Sequence, residues 1–223
     1  MPRRAHDYRG LTQLSRLRLL RAIQRTPGLL LAELADIAEL HINTAREHLK
    51  VLEDEGLIRS EARPTGGRGR PPIVYLPVRE AGSSPEASRR VAAATTSGDA
   101  LRRMSPELDS SADLGTAATH QLDALYEHLE DAGLQPDLDE RELTMTLAPC
   151  PYHRAVEEDR PLVCSVHARL VQDVLTQVPG PLQLRRLDPF VTPHSCVIAL
   201  GLDGEATRAP RTRRQATADD DAH

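Results

Sequence analysis

Hydrophobic residues in the first part of the chain recur with helical spacing. Between positions 11 and 23 an apolar residue stands at every third position with arginines between, which predicts an amphipathic helix. Thr26-Pro27-Gly28 is expected to end this helix, and a second short helix is predicted over 30–38. The predicted apolar faces consist of Leu14, Leu17, Leu20 and Ile23 in the first helix, and of Leu30, Leu34 and Ile37 in the second.

A third helix is predicted from about Asn43, as its N-cap, to Glu55, with Gly56 at its C-terminal end. Three apolar residues at i, i+4 and i+7 should face the core, which leaves a polar face outside. The predicted core residues are Ala45, Leu49 and Leu52, and the outward residues are Thr44, Arg46, Glu47 and Lys50.

A β-hairpin is predicted next, with short strands on either side of a loop at 63–72 that is rich in Gly, Pro and Arg. Three helices followed by a hairpin form the layout of a winged helix-turn-helix, which we assign to residues 1–79. Residues 80–119 are interpreted as a linker with one or two helices, and 204–223 as a disordered tail. Residues 120–203 are predicted to form a small α+β sensor domain, with helices over 120–131 and 161–177 and strands near 142–147, 182–187 and 196–200.

Charge is distributed unevenly along a chain whose formal net charge is -5. Residues 1–78 carry 13 Lys and Arg against 9 Asp and Glu, whereas the remainder is acidic. A basic N-terminal unit suits contact with phosphates. The sequence has no run of 18 apolar residues and no basic-then-apolar leader, so we expect a cytoplasmic protein that does not enter membranes.

The predicted third helix and the hairpin loop supply candidate DNA contacts. Arg46 can address a guanine edge bidentately, while Asn43, Thr44 and Lys50 are expected to face phosphates. Glu47 shares the outward face. Arginines of the loop are expected to enter a minor groove, and they are Arg63, Arg68 and Arg70.

Several motifs of this segment occur in a familiar order. They are Leu34-Ala35, the stretch from Asn43 to Leu49, Glu55-Gly56-Leu57-Ile58 and Arg68-Gly69-Arg70-Pro71. Together they resemble the arsenic-repressor-like superfamily of winged-helix regulators, over about the first third of the chain. Glu39 stands where this superfamily often has glycine, so the turn before the third helix is expected to be shifted or strained.

The three cysteines fall between positions 150 and 196 and lie beside histidines. Cys150 and His153 form one C-x-x-H pair, and Cys164 and His167 form another, on one face of a predicted helix. Thiolate and imidazole donors suit zinc or an iron–sulfur cluster better than calcium or magnesium. Three partly buried, metal-free thiols are the alternative interpretation.

These same stretches, together with Leu129 to Pro136, resemble regulators related to the iron–sulfur-cluster-sensing repressors of cluster-assembly operons. The resemblance implies a cluster on Cys150, Cys164 and Cys196, with His153 or His167 as the fourth ligand. It also implies a DNA-binding repressor whose operator affinity changes with cluster occupancy. A homodimer is expected, because helix-turn-helix proteins generally read two half-sites.

Two other functions stay open at this stage. One is a winged-helix regulator whose C-terminal domain holds a structural zinc, or only dimerises or binds an effector without a metal. The remote alternative is a thiol enzyme with Cys164–His167 or Cys150–His153 as nucleophile and base. No orienting third residue stands at a recognisable spacing, so we expect no enzymatic activity.

Overall fold

The computed structural model describes residues 9–64, 69–105, 114–192 and 194–203, and it confirms an α+β fold with two antiparallel sheets. The helices are α1 (Leu14–Arg25), α2 (Leu31–Ile37), α3 (Ile42–Asp54), α4 (Pro85–Met104), α5 (Thr116–Asp131) and α6 (His153–Gln177). The strands are β1 (Leu29–Leu30), β2 (Ile58–Ala62), β3 (Ile73–Pro77), β4 (Gln135–Asp139), β5 (Thr144–Ala148), β6 (Leu182–Thr192) and β7 (Ser195–Leu202). Short 3-10 helices span Arg9–Thr12 and Ala81–Ser83. The predicted tail at 204–223 lies outside the described residues.

The N-terminal unit is a winged helix-turn-helix. Helices α1, α2 and α3 precede a three-stranded antiparallel sheet in the order β1-β3-β2. Strands β2 and β3 form the predicted hairpin, with Ser60 opposite Tyr75. The core of this unit is built from fully buried leucines, because the apolar faces of all three helices converge: Leu17, Leu20, Leu34, Leu49 and Leu52.

Several details of the helical prediction are wrong. Leu11 lies in a 3-10 helix before α1, and Leu30 lies in β1 before α2. Helix α3 begins at Ile42, and its N-cap is His41, whose Nδ1 accepts a hydrogen bond from the backbone N–H of Asn43 at 3.3 Å. Asn43 therefore lies in the first turn and its side chain is left to bond elsewhere. Ile37 is 55% exposed, because α2 ends there and the buried Ala38 occupies the core position instead.

The turn between α2 and α3 confirms the expected strain. Glu39 has a φ of +55°, in the left-handed region that costs an L-residue roughly 1–2 kcal/mol. Backbone bonds hold it there, since the N–H of Glu39 donates to Asp36 and that of Leu40 donates to Ala35. The turn is thus closed without glycine.

The C-terminal unit packs α5 and α6 against a four-stranded antiparallel sheet in the order β4-β5-β7-β6. Strand β4 is absent from the sequence prediction, because its Gln-Pro-Asp-Leu-Asp sequence is poor in strand formers. The region expected to be a linker contains the 20-residue helix α4, which packs against α5. Gly98 allows this close approach, since a Cβ there would lie 2.4 Å from Asp123.

Helix α6 begins eight residues before the predicted start. It is interrupted at Asp159, whose φ and ψ are -150° and 79°, just before Pro161. Asp159 accepts a hydrogen bond from the N–H of Leu162 at 3.0 Å, so it caps the second segment. The sequence pattern identifies this second segment, which carries Cys164 and His167, and misses the first.

The two units share one hydrophobic core. A single cluster of buried residues runs from Leu11 to Leu200, and α1 packs against α6. Two polar contacts tie the end of the hairpin to α6: Gln177 donates to the carbonyl of Val78 at 3.0 Å, and Arg79 pairs with Asp173 at 3.0 Å. Helix α6 therefore contacts the N-terminal unit directly.

Candidate nucleic-acid interface and thiol cavity

The outward face of α3 is polar and accessible, as the sequence predicts. Asn43, Arg46, Glu47 and Lys50 are exposed, and Thr44 is half-buried. The opposite face is confirmed as core, because Ala45, Leu49 and Leu52 are at most 1% exposed. This division leaves one side of the helix free to enter a major groove.

Arg46 is held in place by its own helix. Its Nη1 donates to Oδ1 of Asn43 at 2.7 Å, one turn earlier on the same face. Since Asn43 is not the N-cap, its amide oxygen is available for this bond. Asn43 thus orients the guanidinium before any DNA arrives, which lowers the entropy lost on binding.

The hairpin of β2 and β3, with the loop at 63–72 between them, is the wing of the fold. Two of its three predicted arginines are at the surface. Arg63 and Arg70 are both exposed, and the hairpin is closed at its base by the N–H of Arg63, which donates to Pro72 at 2.9 Å. Arg68, the third predicted contact, lies outside the described residues. Backbone pairing therefore fixes where the loop leaves the sheet.

An exposed helix after a tight turn, with a hairpin beside it, defines a DNA-binding regulator of the helix-turn-helix class. Residues 12–61 match the family model of a helix-turn-helix domain, which covers less than a quarter of the chain. No curated protein and no solved structure matches the chain. None of the helices in the described ranges combines the length and apolar character needed to cross a bilayer.

All three cysteines line one cavity of about 40 Å³ in the C-terminal unit, which we call the thiol cavity. Cys150 follows β5, Cys164 lies in α6, and Cys196 lies in β7. Pairing of β5 with β7 places Cys196 opposite Leu147, close to the end of the strand that Cys150 follows. The volume exceeds the roughly 10–15 Å³ that one water molecule requires.

The surroundings of the thiols favour their protonated form. Burial raises the pKa of Cys150 and of Cys164 above the ordinary value. A backbone hydrogen bond with Tyr152 opposes this effect at Cys150, and the proximity of Cys196 adds to it at both thiols. Arg160 opposes this effect at Cys164. All three cysteines line the same cavity, so a cation bound there would favour the thiolate form of each.

His167 lines the same cavity, whereas His153 is exposed and does not line it. The buried Nε2 of His167 has no hydrogen-bond partner among the described residues, and burial lowers the pKa of the ring to about 4. The Tyr152 ring packs edge-on against it at 4.4 Å, and the Tyr152 hydroxyl donates to Ala132 at 2.6 Å. His167 is thus a fixed, neutral imidazole.

His128 is a cavity residue that sequence reasoning misses. It lies on the buried face of α5 between Leu125 and Leu129, is 2% exposed, and has its pKa lowered to about 3, mainly by burial. The available signal is its position at i+3 from Leu125, on an otherwise apolar face. Two neutral imidazoles therefore face the cavity.

The described residues fit a thiophilic group in composition, although no formed ligand cage is present among them. No group of three or more His, Cys, Asp or Glu in these ranges already stands in a metal-binding arrangement. The donor set is three thiols and an imidazole with an unpartnered nitrogen, which is the chemistry of zinc and iron–sulfur sites. Leucine, valine and phenylalanine side chains form most of the remaining wall.

Proposed function

We propose that this chain is a cytoplasmic transcriptional repressor whose operator affinity responds to an iron–sulfur cluster bound at the thiol cavity. The observation that supports the proposal is the convergence of Cys150, Cys164 and Cys196, from three separate segments, on one cavity. The unpartnered nitrogen of His167 adds a fourth donor there. Zinc bound by the same residues is the alternative.

Of the two histidines considered from the sequence, His167 fits the fourth position. It lines the cavity and is neutral, which is the form that binds metal, whereas His153 is exposed and does not line the cavity. When bound, an iron–sulfur cluster would supply reactivity toward oxidants. The apolar wall would limit its contact with water.

Metal binding at the thiol cavity should depend on pH, because the cysteine ligands must be deprotonated. Cys150 and Cys164 must lose protons to bind a metal, and burial opposes that loss. The same raised pKa values disfavour a thiol enzyme, because catalytic cysteines have lowered pKa values. We therefore retain the expectation of a regulator without enzymatic activity.

The DNA partner we propose is a duplex operator with two half-sites, bound by a homodimer. Arg46 would read a base edge, and Asn43, Thr44 and Lys50 would contact phosphates, with Glu47 on the same face. Arg63, Arg68 and Arg70 of the wing would approach the neighbouring minor groove. Two-fold symmetry of the protein predicts a two-fold symmetric site.

Anaerobic purification tests the cofactor. We expect a brown protein with visible absorption and with iron and sulfide in proportion to the chain. Replacement of Cys150, Cys164 and Cys196 by serine should remove the colour, and His167→Ala should weaken it while His153→Ala does not. A colourless wild-type protein with one zinc per chain selects zinc, and one with no metal overturns the cofactor proposal.

Selection from a random duplex library under the same conditions supplies the DNA probe. The wild-type chain should bind the selected duplex with an affinity that changes after oxidant treatment, and the triple-serine variant should not respond. Equal affinity of wild-type and triple-serine chains, with and without oxidant, would overturn regulation through these cysteines.

A further inference from the structure

The DNA-binding unit contributes one side chain to the lining of the thiol cavity. Among the described residues that line it, Leu11 alone comes from the first 80 positions, and it is fully buried. The other lining residues include Cys150, Cys164 and His167 from the C-terminal unit. A group that fills the cavity as far as Leu11 would therefore contact the DNA-binding unit.

Leu11 is joined to α1 by a short, ordered connection. It lies in the 3-10 helix Arg9–Thr12, and α1 starts at Leu14 with the N–H of Leu17 donating to Gln13 at 3.1 Å. Helix α1 also packs along α6, which carries Cys164 and His167. A displacement at Leu11 is thus passed to a rigid element rather than to a loose loop.

Helix α1 in turn holds the middle of α3 through His48. Arg16 Nε donates to Nδ1 of His48 at 3.4 Å, and Ser15 Oγ lies 3.1 Å from Nε2. Because Arg16 can only donate, Nδ1 is the acceptor and the neutral ring carries its proton on Nε2, which donates to Ser15. Both ring nitrogens are thereby fixed by α1, directly beside Glu47 and two residues before Lys50.

We propose that Leu11 is the positioning residue through which the thiol cavity and the DNA-reading face of α3 are coupled, by way of α1 and His48. Filling the cavity shifts Leu11 and α1, and α3 follows because His48 is bonded to α1. Binding of DNA to α3 holds α1, and with it Leu11, against the cavity. This inference rests on the proposed function, but it requires only that the cavity and the DNA site influence each other.

The test uses the full chain without metal, the selected duplex, and N-ethylmaleimide as a thiol probe. Reaction at each cysteine is followed by mass spectrometry with and without saturating duplex. In the wild-type chain, duplex should slow the reaction of Cys164 about fivefold or more, which is the range of ordinary coupling between sites. In a second, independent measurement, the alkylated chain should bind the duplex about fivefold or more weakly than the unmodified chain.

Two ratios describe the coupling: the rate of Cys164 modification without and with duplex, and the duplex affinity of the unmodified and the alkylated chain. Leu11→Ala should bring both ratios close to one. The matched control is Leu147→Ala, which removes the same atoms from a buried lining residue on β5 and should keep the wild-type ratios. Equal ratios in the wild-type and Leu11→Ala chains would overturn the proposal, as would loss of coupling in both leucine variants. Circular dichroism and duplex binding by the unmodified variants establish that they fold.

His48→Ala interrupts the same coupling at a second point and can be used if Leu11→Ala does not fold. It leaves the cavity lining intact, and each ratio is taken within one variant, so a change in its basal DNA affinity does not enter. We expect its ratios to fall below half of the wild-type values, and unchanged ratios would overturn the route. If the wild-type chain binds no metal but still shows coupling between the cysteines and the duplex, only the cofactor proposal is refuted. If it binds metal but the wild-type, Leu11→Ala and His48→Ala chains give the same ratios, only the coupling through Leu11, α1 and His48 is refuted.

Discussion

The DNA-reading surface and the thiol cavity place their chemistry in opposite environments. Arg46 and Lys50 stand in solvent on one helix, whereas the half-buried Cys150, Cys164 and His167 line a cavity whose other walls are mostly apolar. Charges in solvent interact weakly and are screened by salt, while buried groups are governed by desolvation. We therefore expect DNA binding to respond to ionic strength, and the cavity to respond to pH and to thiol ligands.

The two regions nevertheless rest on one core, and this gives the largest predicted effect. Leu20→Ala in α1 removes a fully buried side chain and should lower the free energy of unfolding by about 2–5 kcal/mol. Loss of helical circular dichroism and exposure of Cys164 to N-ethylmaleimide should shift to lower denaturant concentration together.

Leu101→Ala serves as its control, because Leu101 is 65% exposed and its truncation should change stability by less than about 0.5 kcal/mol. Two separate transitions in the Leu20→Ala chain, with Cys164 protected through the first, would show that the units unfold independently.

Acid should lower the stability of the whole chain through the two histidines of the cavity. The folded chain has pKa values of about 3 at His128 and about 4 at His167, against 6.5 in the unfolded chain. Below pH 6.5 the unfolded state takes up protons that the folded state does not, so stability present above that pH is lost as pH falls toward 4. Each histidine contributes up to about 1.4 kcal/mol per pH unit in this window.

Urea unfolding of the metal-free chain at several pH values between 7 and 5 measures this loss. His128→Leu should reduce the slope of stability against pH by about one proton relative to the wild-type chain. A stability that is level across this range in the wild-type chain would contradict the burial of two neutral imidazoles.

On the DNA side, Arg46→Ala should cost about 1–3 kcal/mol of binding free energy and relax the preference at one base position. Asn43→Ala should have a smaller effect in the same direction, because it frees the guanidinium that the 2.7 Å hydrogen bond orients. Competition binding with point variants of the selected duplex measures both. Arg89→Ala on α4, where the side chain is 75% exposed, is the charge-matched control and should bind normally.

The smallest predicted effect is at Lys50. Lys50→Ala should weaken binding to all duplexes about equally and reduce the slope of affinity against salt concentration by about one. Fluorescence anisotropy at several salt concentrations provides this slope. If Lys50→Ala changes the base preference but keeps the salt slope, Lys50 contacts a base rather than a phosphate.

Sequence patterns predict the DNA-binding half better than the cavity, for a physical reason. The face of α3 follows from local periodicity, and the left-handed turn at Glu39 follows from a residue that stands where glycine is common. By contrast, Cys150, Cys164 and Cys196 meet only because β5 pairs with β7 and α6 packs beside them, which no local pattern encodes. Sequence patterns likewise do not identify Leu11 and His128 as cavity residues, since each stands where an ordinary core residue is expected.

The contact between α1 and α6 also limits how this regulator can be rebuilt. A chimera that transplants residues 1–79 onto a different sensing domain would uncover the side of α1 that packs on α6, and would lose the partners of Val78 and Arg79. The transplant would need a substitute helix with matching apolar residues to remain soluble. The exchangeable part of this protein is therefore the outward face of α3, whose residues can be rewritten for a new operator without disturbing the interior.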